Sequence, residues 1–106
     1  MILDKRIKTR LKKIRKSIKE KNIDTLMVLV EENRRYLSGF TGEDTQFDES
    51  AGALFITQDK LILATDSRYE LQAKHESPLY EVLCYKKGLI KELPSILTIL
   101  ETERLG

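Results

Sequence analysis

Tryptophan is absent from this chain, and cysteine and histidine occur once each, as Cys84 and His75. A single cysteine forms no internal disulfide, so covalent cross-links do not carry the fold. A structural zinc site takes about four protein ligands and a catalytic one about three. One histidine and one cysteine are too few for a site of that kind. No apolar run approaches the ~20 residues that span a bilayer. The basic N-terminus lacks the apolar core and small-residue cleavage site of a secretory signal. These absences predict a cytoplasmic location.

Phosphate-binding loops are also missing. Gly39-Phe40-Thr41-Gly42 has neither the lysine of a P-loop nor the third glycine of a dinucleotide fingerprint. Paired carboxylates occur only in the segment Glu43–Ser50, where nothing sets one pKa apart from another. That segment lacks the acidic spacing and glycine of a calcium-binding loop, and it reads as a solvated loop. Cys84 reads as a buried apolar thiol in a strand, and His75 as a partly exposed residue near a helix end. On its chemistry alone the chain does not make a complete enzyme.

What is present fits one small domain of 106 residues. Folding at that size buries roughly 60–70% of the unfolded surface, which is enough for one core. Charge is unevenly spread. Residues 1–21 hold ten Lys/Arg and two Asp/Glu, a net of +8, and the remainder holds nine and fifteen, a net of −6. The basic part, Lys5 to Lys21, reads as an amphipathic helix. Ile7, Leu11, Ile14 and Ile18 step by 4, 3 and 4, a narrow apolar stripe at the helical period. Asn22 is its predicted stop. Such a stripe suits packing on the chain's own sheet. The alternative is a free-standing binding module that presents the basic helix outward to a nucleic acid or protein. No aromatic side chain is interleaved with the basic ones, which counts against single-stranded nucleic acid. The exposure of Ile14 separates the two readings.

Thr25–Val30 is continuously apolar and predicts a central strand covered on both faces. Asn33 to Gly42 then reads as a short helical turn with a glycine-hinged exit. Asn33 is its candidate cap. Tyr36, Leu37 and Phe40 are placed on one face, and Gly39 and Gly42 supply positive φ or close backbone approach. Ala51–Thr57 and Lys60–Thr65 form a predicted hairpin across Gln58-Asp59. Ser67-Arg68-Tyr69-Glu70 matches a capping box, so a helix is expected from there to about Glu76, before Pro78. Leu79–Tyr85 is a further strand. A last helix uses Leu89, Leu93, Ile96, Leu97 and Leu100 as its apolar face, with Pro94 near its first turn. The order α, β, short α, β, β, α, β, α predicts an α/β fold, a small mixed sheet flanked by helices.

Two motifs in this order, Asn33-x-x-Tyr36-Leu37-x-Gly39-Phe40-x-Gly42 and Asp66-x-Arg68-Tyr69-x-x-Gln72-Ala73, make the chain resemble the N-terminal domain of the creatinase/prolidase/Xaa-Pro aminopeptidase metallopeptidases. The resemblance covers nearly the whole chain. It implies an α/β domain with a ribonuclease H-like motif that is itself non-catalytic. It also implies a separate C-terminal catalytic domain holding two divalent metals, often manganese, with no cofactor in this chain. A homo-oligomer is implied, with this domain shaping access to the site for proline-containing peptides. No nucleic-acid or membrane partner is expected. Asn33, Tyr36, Leu37, Gly39, Phe40, Gly42, Gln72 and Ala73 match as structural positions, and Asp66, Arg68 and Tyr69 as candidates for a substrate rim or interface. A cation at Arg68 lies in the first helical turn, where the dipole disfavours it, so Asp66 is its expected local partner. The ending at Glu103–Gly106 follows a helix, where an α/β unit returns to a strand. The domain over residues 1–106 is therefore expected to be cut at its C-terminal end.

Overall fold

The structure, a computed structural model, describes residues 2–42, 52–86 and 88–106, so the acidic loop Glu43–Ser50 lies outside the described residues. The elements are α1 (Ile2–Glu20), β1 (Leu26–Val28), α2 (Glu31–Ser38), β2 (Gly52–Ile56), β3 (Leu61–Asp66), a 3-10 turn (Ser67–Tyr69) running into α3 (Glu70–Glu76), β4 (Glu81–Tyr85) and α4 (Leu89–Ile99). The four strands form one sheet in the order β1-β2-β3-β4. β1 and β3 each pair antiparallel with β2, and β4 pairs parallel with β3. This is the mixed sheet that the order of elements predicts.

Side-chain alternation along the central strands creates two apolar layers. Leu54, Ile56 and Leu63 point to one face, where Ile7 and Leu11 of α1, Leu37 of α2, Phe40 and Ala73 of α3 cover them. Ala53, Phe55, Ile62 and Ala64 point to the other face, under Ile96 and Leu100. The α4 face is the predicted one, with Leu89, Leu93 and Leu97 completing it. Every residue of β2 is buried.

The α1 stripe packs inward. Ile7, Leu11 and Ile18 are buried, and Ile14 is half-buried against the same layer. Its packing favours a helix docked on its own sheet over one presented by a free-standing module. Asn22, at φ +60°, ends α1. The Ile23 N–H donates to the Ile18 carbonyl and the Asn22 N–H to that of Lys19, a Schellman arrangement. The hairpin between β2 and β3 also forms as expected. Thr57 closes it, because Thr57 Oγ1 accepts the Lys60 N–H at 2.8 Å while its own N–H donates to the Lys60 carbonyl.

Three expectations are corrected. The first apolar run does not give a central strand. β1 is only Leu26–Val28, pairs with β2 on one side, and leaves Leu29 and Val30 exposed. Coverage of both faces makes a run continuous whatever its place in the sheet order. On the other side of β1, Gly106 runs parallel to it, giving its N–H to Thr25 and taking that of Met27. Secondly, Asn33 is not a cap. α2 starts at Glu31, with Val30 as an N-cap that makes no side-chain bond. Thirdly, α4 begins five residues before Pro94 rather than near it. The proline sits on the exposed side of the helix, where its missing N–H leaves the i−4 carbonyl toward solvent rather than inside the core.

Packing of the stripe sets a graded expectation. Leu11→Ala should lower stability by roughly 2–5 kcal/mol and the half-buried Ile14→Ala by less, while exposed Lys13→Ala should stay within about 0.5 kcal/mol. Urea denaturation of the three variants checks this; equal small effects from all three would mean that the stripe does not hold α1 to the sheet.

Candidate functional site

The two sequence motifs meet in space. The first leaves α2 through Gly39–Gly42, and the second forms the corner from β3 into α3. Gly39 takes φ +83° at the end of α2 and gives its N–H to Arg35, so one glycine is used for a left-handed turn. Gly42 is used differently, since a Cβ there would overlap the Phe40 ring. Phe40 is fully buried and meets Tyr69 edge-on, with centroids 6.1 Å apart and planes at 83°. That geometry is the favourable one for an aromatic pair.

A polar contact runs alongside the aromatic one. Glu76, at the end of α3, accepts the Thr41 N–H at 2.9 Å and the Thr41 hydroxyl at 2.7 Å. Gln72 Nε2 donates to Thr41 Oγ1 at 3.0 Å and to Glu76 at 3.1 Å. Burial works against the charge on Glu76, but the Thr41 and Gln72 hydrogen bonds outweigh it and hold the carboxyl below its usual value. Ala73, one turn before Ser77, is fully buried and lets α3 lie close to the sheet.

At the corner, Asp66 and Arg68 form a bidentate pair. Arg68 Nη2 donates to Asp66 Oδ2 at 2.6 Å and Arg68 Nε at 3.0 Å. Asp66 Oδ1 also accepts the Arg68 backbone N–H at 2.8 Å. The predicted partnership forms, and it replaces the predicted capping box: Asp66, not Ser67, is the N-cap residue. An aspartate one residue earlier can cap the turn and neutralise Arg68 together, whereas a serine can do only the first. The Arg68 side-chain hydrogen bond is the main reason that the Asp66 carboxyl lies below its usual range. Glu70, expected in the capping box, pairs instead with Lys74 at 3.0 Å. Arg68 is largely exposed, and its guanidinium lies 5.5 Å from the Tyr69 ring centroid.

The most consequential residue of the region, Arg34, belongs to neither motif. Arg34 is fully buried. Its Nη1 donates to the Leu29 carbonyl at 2.5 Å and its Nη2 to the Gly42 carbonyl at 3.0 Å. Ser38 Oγ donates to the Arg34 carbonyl and accepts the Phe40 N–H. Tyr80 adds a hydroxyl bond to the Leu37 carbonyl at 2.7 Å. Arg34, Leu37 and Ser38 are the buried face of α2, an i, i+3, i+4 set that helical spacing could have revealed. Tyr36 belongs to the opposite face, contrary to its expected grouping with Leu37 and Phe40. It is exposed, and the Arg10 guanidinium stacks over it at 4.0 Å. Asn33 is exposed too.

Burial raises the Cys84 thiol pKa, and the neighbouring Glu70 carboxylate raises it further, which keeps the sulfur protonated and weakly nucleophilic. Among the described residues no three His, Cys, Asp or Glu side chains gather as a metal-ligand group. The described residues therefore do not fit the two divalent metals that the resemblance implies for a catalytic domain.

Two outcomes follow from these contacts. Arg34→Met should destabilise by roughly 3–5 kcal/mol, since it strands one buried and one part-buried carbonyl; an unchanged denaturation midpoint would contradict the clamp. The second concerns pH. Asp66 and Glu76 both have folded-state pKa values below their ordinary ones, so their contribution is complete above about pH 5 and is lost as pH falls through the lowered values. Scanning calorimetry should find a lower Tm for Asp66→Asn/Glu76→Gln near neutrality and a shallower decline in acid than for the parent. Parallel acid slopes would show that these carboxylates do not couple to folding.

Comparison with known proteins agrees with this architecture. The creatinase/prolidase N-terminal domain profile matches residues 10–106. A probable Xaa-Pro aminopeptidase P of Pyrenophora teres f. teres is 38% identical over 100 residues, covering 82% of this chain and 14% of the relative. Among solved structures, an Xaa-Pro dipeptidase from Bacillus anthracis superposes with a TM-score of 0.81 at 29% identity, covering 94% of this chain and 26% of that one. The N-terminal domain of cytoplasmic peptidase PepQ from Mycobacterium tuberculosis superposes with a TM-score of 0.77 at 30% identity, covering 92% and 71%. The chain spans about a quarter or less of the length of the curated relatives it matches first. With the profile matched over nearly its full length, the chain belongs to the creatinase/prolidase N-terminal domain family.

Proposed function

We propose that this chain is the non-catalytic N-terminal domain of a dinuclear-metal Xaa-Pro aminopeptidase or dipeptidase, and that it serves oligomerisation and shapes substrate access. The observation that carries the reading is the convergence of the two family motifs on one corner. There the buried Phe40–Tyr69 contact and the Thr41–Gln72–Glu76 hydrogen bonds hold the exposed Asp66–Arg68 pair in a defined place. A rigid base under an exposed cation is what a substrate rim or subunit contact needs, and Arg68 and Tyr69 are the side chains assigned to it. The reading includes a metal-bearing domain C-terminal to this one in a longer polypeptide, with manganese as the expected metal. The relatives' greater length supports that continuation. A cytoplasmic homo-oligomer acting on proline-containing peptides completes it. Among the described residues no helix is long and apolar enough to cross a membrane, and the PepQ neighbour is described as cytoplasmic.

The test uses the polypeptide encoded by the whole reading frame, assayed with Mn²⁺ on Xaa-Pro dipeptides and longer peptides. Hydrolysis is the expected result, and a full-length product without it would overturn the reading. Arg68→Ala in that protein should keep a near-normal Tm while changing kcat/KM or its dependence on peptide length. Lost stability with unchanged kcat/KM in the folded fraction would reduce Arg68 to a residue that only orders the corner.

A further inference from the structure

The basic side of α1 has an order of its own. Lys8, Lys12, Arg15 and Lys19 step by 4, 3 and 4, one residue after each member of the buried stripe Ile7, Leu11, Ile14 and Ile18. One residue on a helix is about 100° of rotation, so this second stripe borders the first where α1 leaves the sheet. Beside it lies a groove of about 820 Å³ between α1, the β2–β3 hairpin and the segment before β4. Leu11, Leu61 and Leu79 contribute its apolar lining, and Lys8, Lys12, Lys13, Lys16 and Lys19, with Arg15, its charge. Among the described residues no carboxylate lines it.

The groove is built before anything enters it. Arg15 Nε donates to the Thr57 carbonyl at 2.6 Å, and Gln58 Nε2 donates back to the Arg15 carbonyl at 2.8 Å. These bonds tie the helix to the hairpin turn and fix one side of the opening. Arg15 is thereby engaged, and the five lysines are not: among the described residues none of them has an ion-pair partner. All five are exposed. A row of cations along a low-dielectric wall focuses a positive potential into the opening.

We infer that this groove is a docking site for an acidic protein segment carrying apolar anchor side chains, with leucine-like groups entering between Leu11, Leu61 and Leu79 and carboxylates meeting the lysines. The complementarity selects this occupant over other anionic partners. A nucleic acid would use phosphate contacts and, for a single strand, aromatic stacking, and among the described residues the lining holds no aromatic one. A membrane surface would need apolar side chains that project beyond the lysines, whereas Leu11 is buried and Leu61 and Leu79 are half-buried. An apolar floor with a cationic rim matches an amphipathic peptide laid in a groove.

The test is fluorescence anisotropy with the intact chain and a labelled peptide of repeating Glu-Leu-Leu-Glu. The controls are a Glu-Ser-Ser-Glu peptide, oligothymidylate of the same length and vesicles of phosphatidylserine in phosphatidylcholine. The Glu-Leu peptide should bind saturably, with Kd on the order of micromolar, as expected of a small interface. Binding should largely vanish in about 1 M salt, where the screening length is about 3 Å. Lys12→Glu/Lys16→Glu should weaken it by at least about tenfold at unchanged Tm, a loss of about 1.4 kcal/mol. The milder Lys12→Gln/Lys16→Gln should give an intermediate loss, and it settles the matter should the charge reversal disturb folding. Absence of saturable binding would overturn the inference. So would equal affinity for the Glu-Ser peptide, tighter binding of oligothymidylate or vesicles, or affinity untouched in both lysine variants.

Discussion

Burying the Arg34 guanidinium is the constraint on which the motif-bearing half of the domain depends. Desolvating a charge of this kind costs several kcal/mol, and dense hydrogen bonding has to offset it. The planar fork of arginine reaches the Leu29 and Gly42 carbonyls at once, which a lysine could not do with comparable geometry. Those carbonyls lie on either side of α2, so one side chain closes the whole excursion from the end of β1 to the start of the acidic segment. Ser38 and Tyr80 then satisfy backbone groups inside the closed loop. A hydrophobic side chain of similar volume could fill the space but would leave the carbonyls orphaned. The clamp thus contributes geometry at least as much as stability.

The consequence appears at the corner. With the α2 exit held, Phe40 has one place to go, and Gly42 must lie against its ring. Phe40 then positions Tyr69, and Thr41 positions Glu76 and Gln72. Two stretches separated by about the length of a hairpin in sequence become one packed unit through a single aromatic edge contact and three polar side chains. Placement of the exposed Asp66–Arg68 pair therefore traces back to a buried arginine more than thirty residues earlier.

Much of this was legible in the sequence where a periodic signal existed. The α1 stripe, the α4 face, the hairpin and the mixed sheet follow from apolar spacing and turn residues, and they hold. The Asp66–Arg68 pair followed from helix-dipole reasoning and also holds. The failures share a cause. Sheet order is decided by which strand edges pair, and apolarity reports only which faces are covered, so β1 was misplaced. Capping rules compare alternatives locally, and at Asp66 the same side chain serves both backbone and guanidinium, which a Ser-x-x-Glu pattern does not register. Arg34 escaped because charged residues are presumed exposed. Read by position instead of by type, Arg34, Leu37 and Ser38 form one helical face.

The exposed pair at the corner and the buried clamp beneath it use the same chemistry to opposite ends. Arg68 is over half exposed, so its ion pair contributes little to stability. Its bidentate geometry, with Asp66 also capping the turn, instead fixes where the guanidinium points. Arg34 is removed from water, so its bonds are individually strong and its loss is costly. Stability is concentrated below the surface, and the surface cation is held in a defined orientation. The clamp has to be rigid for that orientation to hold, because the direction of an exposed side chain at the corner is only as definite as the packing under it.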